Sequence, residues 1–310
     1  MEALLITSAN ESITMAEPTL QYVHCPDGAN GHRMAYWQWG DSNAPRTVLC
    51  VHGLTRQGRD FDILAQTLLQ CSPVALRVVC PDVAGRGESD WLPDPMSYNP
   101  ATYVKDMHAL IRQLAPAEVD WVGTSLGALV GMAVFGHTES ASQLPLRRLV
   151  LNDAGPVLQW KSLQRIGAYV GRNMHYPTEK EAVDALWAIS SGFGPHTPEQ
   201  WLALSRHMLR ADGQGGVRLH YDPAISVAFG SMNEEDSRKG EAVIWSLYDA
   251  ILAPTLLLRG GDSDLLSADT AAQMTQRGPR AKLVEFAGVG HAPTLMSPDQ
   301  LDAVTGFLFG

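Results

Sequence analysis

Apolar positions along this chain follow two alternating rhythms. Runs such as "TVLCVHG" (47–53), "LRVVCPD" (76–82), "VDWVG" (119–123), "LRRLVLND" (146–153), "APTLLLRG" (253–260) and "AKLVEF" (281–286) are strand-length and largely apolar. The first two have the pattern of strands covered on both faces. Between them, "GRDFDILAQTLLQ" spaces Phe61, Leu64, Ala65 and Leu68 along one helical face. "PATYVKDMHALIRQLA" reads as a helix with Pro100 in its first turn. Strand and helix in alternation predict a parallel sheet with right-handed crossovers. Ahead of it, "LQYVHC" and "RMAYWQWG" predict a hairpin turned through the cluster from Asp27 to Gly31.

The rhythm breaks after Gly155 and resumes near residue 250. The interval shows helical spacing at 166–170, 182–189 and 201–209, separated by Gly- and Pro-rich loops, and no buried strand. The expected organisation is a leader over 1–18, a sheet domain over 19–155 and 250–310, and a helical insert over 156–249.

One stretch carries chemistry. In "VDWVGTSLGALVG", Ser125 lies where a buried strand turns into a small-residue helix, between Gly123 and Gly127. Such an elbow lifts a hydroxyl clear of the sheet and aims the first helical N–H groups at whatever it attacks. The bare G-x-S-x-G spacing is common by chance; its place between strand and helix gives it weight. A serine is a weak nucleophile until an imidazole takes its proton and a carboxylate orients that imidazole. His291 follows the last strand in a Gly-rich loop. For the acid, Asp264 in "GGDSD" is preferred; Asp262 is read as tying the loop backbone, and Asp153, at the end of "LVLND", is a third candidate. The two oxyanion donors are expected to be the N–H groups of Leu54 and Leu126, with His52 fixing the turn before Leu54.

Together, H-G-L at 52–54, "PDVAGRGESD", G-T-S-L-G at 123–127, G-D-S-D at 261–264 and G-H at 290–291 resemble the α/β-hydrolase superfamily. The resemblance implies an eight-stranded, mostly parallel sheet flanked by helices, with a helical cap inserted after the sixth strand. Serine rather than aspartate at the nucleophile position is similar to the capped esterase-like branch and implies an acyl-enzyme route. Esters are the expected substrates, extending to lactones and polyester oligomers. The alternatives are a carbon–carbon bond hydrolase of vinylogous diketones, from which S-L-G-A departs where S-M-G-G is common, and a non-catalytic binding protein on the same fold. Within the cap, Phe193 and Trp245 are candidate pocket walls; Arg56, near the oxyanion loop, is read as a solvated arginine, with contact to a substrate carboxylate as the alternative. Asp82, Arg86 and Asp90 are expected to fix a loop near the site.

Composition adds limits. Of 310 residues, 45% are hydrophobic and 18% charged, and the formal net charge is −10. That balance disfavours a nucleic-acid partner, and no apolar run reaches the length of a membrane-spanning helix. The leader lacks the basic and apolar regions of a secretory signal. The four cysteines show no C-x-x-C or zinc spacing, and the histidines no ligand spacing, so no metal or other cofactor is expected. A cytoplasmic monomer or homodimer acting on a small-molecule ester is the resulting expectation.

Overall fold

A computed structural model describes residues 17–26, 31–137, 144–172 and 174–310. Most of the expected leader, and positions 27–30 of the hairpin turn, lie outside the described residues.

Among the described residues, eight strands form one sheet in the order β1-β2-β4-β3-β5-β6-β10-β11. They are β1 (Thr19–Cys25), β2 (His32–Gly40), β3 (Arg46–Val51), β4 (Leu76–Pro81), β5 (Glu118–Thr124), β6 (Leu146–Asn152), β10 (Thr255–Gly260) and β11 (Lys282–Phe286). β1 and β2 pair antiparallel, as do β2 and β4; the other pairs are parallel. Every residue of β3, β4 and β10 is buried, whereas β1 and β11 at the edges are partly exposed. The unbroken apolar runs therefore mark the strands with helices on both faces, as the pattern required.

Helices α1 (Asp62–Cys71) and α9 (Pro298–Phe309) cover one face, where Leu64, Leu68, Val304 and Leu308 meet Val48, Val78 and Val122. Helices α2 (Pro100–Leu114) and α3 (Leu126–Gly136) cover the other, packing Met107, Leu110 and Met132 against Leu49, Trp121 and Leu149. α2 starts where expected because Asn99 caps it, its side chain accepting from the Thr102 N–H, with Pro100 at the first position. Replacing Asn99 by alanine would cost about 1 kcal/mol.

The segment between β6 and β10 lies over the carboxyl ends of the strands. It holds α4 (Trp160–Gly167), β7 (His175–Tyr176), α5 (Glu179–Ser190), α6 (Pro198–Arg206), β8 (Leu209–Ala211), β9 (Val217–Leu219), α7 (Ile225–Gly230) and α8 (Glu234–Asp249). α5 spans the expected helix at 182–189 and α6 most of that at 201–209, whereas α4 ends at Gly167 and leaves most of 166–170 in a turn; a three-stranded sheet, β7-β9-β8, is added. Its strands are two or three residues long and none is fully buried, so they leave no periodic signal. The end of α8 packs on α3 so closely that a Cβ on Gly136 would lie 2.1 Å from the Leu247 carbonyl oxygen.

Candidate active site

The site begins at the turn from β5 into α3. Ser125 there has φ 53° and ψ −112°, a conformation costly for any side-chain-bearing residue. Its neighbours have no room for side chains. A Cβ on Gly123 would lie 2.2 Å from the Gly127 carbonyl oxygen, and one on Gly127 would lie 2.0 Å from that of Val51. The indole N–H of buried Trp121 donates to the Gly127 carbonyl at 3.1 Å, bracing the first turn of α3.

The Ser125 hydroxyl lies 2.9 Å from His291 Nε2, and His291 Nδ1 lies 2.8 Å from Asp153 Oδ2. Both distances are within hydrogen-bond reach. With Nδ1 facing a carboxylate, the proton sits on Nδ1, leaving Nε2 to accept from the serine hydroxyl.

The acid meeting His291 is thus Asp153, and the preference for Asp264 is corrected. Asp153 is fully buried with φ 56°, one residue past the end of β6. Its backbone N–H donates to the Leu258 carbonyl at 2.8 Å, so it stays at the sheet rim beside β10. The Gly260 N–H donates to Oδ1 at 2.9 Å, and the Ser263 hydroxyl donates to Oδ2 at 2.7 Å. The G-D-S-D motif thus serves the acid on the neighbouring strand through its serine. Asp264 lies on the same loop, but its carboxylate takes two 2.9 Å hydrogen bonds from Arg165 of α4. Partial burial pushes the Asp264 carboxyl up, yet the Arg165 hydrogen bonds and charge outweigh that and hold it below the usual range. Asp262, exposed, ties its loop through a backbone bond from its N–H to the Val289 carbonyl.

Leu54 faces the same cleft as Ser125, and its N–H has no acceptor among the described residues. Leu126 is the first residue of α3, so its N–H has no intrahelical acceptor. The Leu54 loop is rigidly held. Fully buried His52 accepts from the Val83 N–H at Nε2 (2.9 Å), so its Nδ1–H donates to the Gly53 carbonyl (2.7 Å). Burial lowers the His52 pKa to about 3, so it stays neutral. Arg86 donates to the Leu54 carbonyl at 2.8 Å, and to the Ala84 carbonyl and the Tyr103 hydroxyl. Asp82 accepts from the Gly58 and Glu88 N–H groups and the Trp37 indole, while burial raises its pKa to about 7. Asp90 pairs at the surface with Arg33.

The cleft, about 180 Å³, is bounded below by Leu54, Ser125 and His291 and above by the insert. Phe193 lines it, along with Ile166, Leu186 and Met208. Trp245 does not, and that expectation is corrected. It stands on α8 against the core, with Arg277 over its ring at 3.9 Å and Tyr248 edge-on at 5.8 Å. Trp201 is likewise a packing residue, its indole donating to the Val183 carbonyl. The insert also grips the histidine loop: the Gly290 N–H donates to the Gly192 carbonyl at 2.5 Å, and His196 hydrogen-bonds Thr294 at 2.9 Å.

Away from the cleft, buried Cys25, His32 and Asp106 bring ligand-type atoms within 4.8 Å of one another. Burial, then the Asp106 carboxylate, raise the Cys25 thiol well above its ordinary range, so it stays protonated. His32 and Asp106 are joined at 3.0 Å, clasping β2 to α2. We read this trio as a structural clasp.

Fold and site together define a hydrolase built on a doubly covered parallel sheet with a serine elbow. The chain belongs to the alpha/beta hydrolase family, whose model matches residues 48–304. It is 46% identical over 298 residues to a 3-hydroxybutyrate-oligomer hydrolase of Cupriavidus necator, covering 95% of this chain and 99% of that one. It is 28% identical over 263 residues to an esterase of Mycobacterium tuberculosis, covering 81% and 78% respectively. A crystal structure of an alpha/beta hydrolase from Novosphingobium aromaticivorans superposes with a TM-score of 0.80 at 36% identity, covering 95% and 99%. Family and relatives support an ester hydrolase. Among the described residues, no helix is long and apolar enough to cross a membrane.

Proposed function

We propose that this chain hydrolyses carboxylic esters of hydroxy acids, 3-hydroxyalkanoate oligomers being the substrate class that the Cupriavidus necator relative suggests. The Ser125 hydroxyl attacks the ester carbonyl and passes its proton to His291 Nε2. Asp153 holds the Nδ1–H and stabilises the imidazolium that forms. The tetrahedral oxyanion is met by the N–H groups of Leu54 and Leu126. Collapse expels the alcohol, protonated by His291, and leaves an acyl-enzyme. Water, deprotonated by the same histidine, attacks the acyl group and releases the acid.

The observation that carries this reading is the hydrogen-bond chain from Ser125 through His291 to Asp153, at 2.9 and 2.8 Å, opening onto a largely apolar cleft. The four cysteines are unpaired, three of them buried, which suits a reducing cytoplasmic setting. A fluorophosphonate probe should add its adduct mass at Ser125. Ser125→Ala should abolish labelling and lower turnover of p-nitrophenyl butyrate by about 10³-fold or more. Near-full turnover by that variant would remove the assignment.

A further inference from the structure

Three arginines line the cleft: Arg56, Arg165 and Arg172. Two are neutralised. Arg56 gives Asp60 hydrogen bonds at 2.6 and 2.8 Å, and Arg165 gives Asp264 two at 2.9 Å. Arg56 is therefore neither the solvated arginine expected nor free to meet a substrate carboxylate, because it is largely buried and Asp60 already occupies its guanidinium. Arg172 is exposed on the cleft, and no ion pair to an acidic side chain is formed by it among the described residues. Counting these pairs, the cleft carries one uncompensated positive charge on a chain whose net charge is −10.

The backbone leading into Arg172 is anchored. Gly171 adopts φ 82°, and a Cβ there would meet the Ser226 hydroxyl oxygen at 2.3 Å. Its N–H donates to the hydroxyl of buried Tyr221 at 3.2 Å, and the Arg172 N–H donates to the Tyr169 carbonyl at 3.3 Å. Tyr169 and Tyr221 line the same cleft. A planar guanidinium beside a largely apolar cleft pairs well with a carboxylate.

We propose that Arg172 recognises a free carboxylate on the substrate, so that the preferred esters are acid-terminated, such as short hydroxy-acid oligomers. This rests on the ester-hydrolase reading above. Arg172 is a specificity residue, apart from the bond-breaking machinery. Because it is partly in water, the effect is modest and screened by salt.

The test compares kcat/KM for a 3-hydroxy-acid dimer with a free terminus and for the same dimer capped as its primary amide. The native chain should prefer the acid about fivefold, the scale of a partly exposed ion pair. Arg172→Ala should bring that ratio to about one, Arg172→Lys should keep part of it, and Arg172→Glu should invert it. A ratio taken within each variant cancels losses of active enzyme. Raising salt from about 0.05 M to about 0.5 M should shrink the native preference. Equal rates on both dimers by the native chain, or a preference that survives Arg172→Ala, would overturn the proposal while leaving ester hydrolysis standing. No turnover of either dimer or of p-nitrophenyl butyrate would overturn both.

Discussion

The carboxyl ends of β6 and β10 are neighbouring positions in one sheet, and each is followed by an aspartate that could serve a histidine. Asp153 is buried, in a left-handed backbone conformation, and takes donors from Gly260, Ser263 and His291. Asp264 is about half-exposed and grips Arg165 of the insert. The difference is one of loop length. Asp153 comes one residue after its strand and stays at the rim, whereas Asp264 comes four residues after Gly260 and is carried out to the cap. One aspartate faces the histidine, and the other fastens the wall above it. The motif that joins them is Ser263, which belongs to the β10 loop and serves the β6 acid.

The comparison can be broken most sharply at the acid itself. Asp153→Asn should lower kcat by about 10⁴-fold, because the carboxamide favours the wrong imidazole tautomer. A variant that kept turnover within tenfold would return the role to the β10 loop. Next in size, Ser263→Ala should cost about tenfold in kcat, the loss of one hydrogen bond to a buried carboxylate. Thermal unfolding alongside the kinetics would separate misplaced acid from a loosened loop. Smaller still, Asp264→Asn should change kcat by less than about threefold, since it weakens an exposed ion pair. A loss approaching that of Asp153→Asn would equate the two aspartates.

The smallest expected effect is on stability. The Asp264 carboxyl is held below its ordinary range, so its contribution is present above the unfolded-state value and is lost as pH falls through the folded one. In chemical denaturation between pH 5 and pH 2, the native chain should lose slightly more stability than Asp264→Asn, by less than about 1 kcal/mol for so exposed a pair. Parallel curves for the two proteins would mean that the ion pair does not contribute to fastening the cap.

Much of this architecture was legible in the order of apolar runs. Buried strands must be apolar on both faces, and flanking helices on one, so β3, β4 and β10 could be read before any contact was known. Ser125 and His291 were legible for a related reason: a strand-to-helix elbow and a Gly-rich loop after the last strand are local features. The acid was not. Asp153 and Asp264 both satisfy the chain order, and adjacent strands lie only about 4.8 Å apart. Trp245 was misread because an amphipathic helix declares an apolar face without declaring its partner, and the face of α8 turned to the core. The β7-β9-β8 sheet was invisible because two- and three-residue strands have no period.

By itself, then, the sequence determined the sheet, the insert, the elbow at Ser125 and the loop bearing His291, each set by neighbours in the chain. Only the tertiary structure decided which carboxylate faces the imidazole, which arginines are already paired, and which aromatic residues wall the cleft. Those depend on where loops from separate strands end in space, and a charge commits to the partner within reach of its loop.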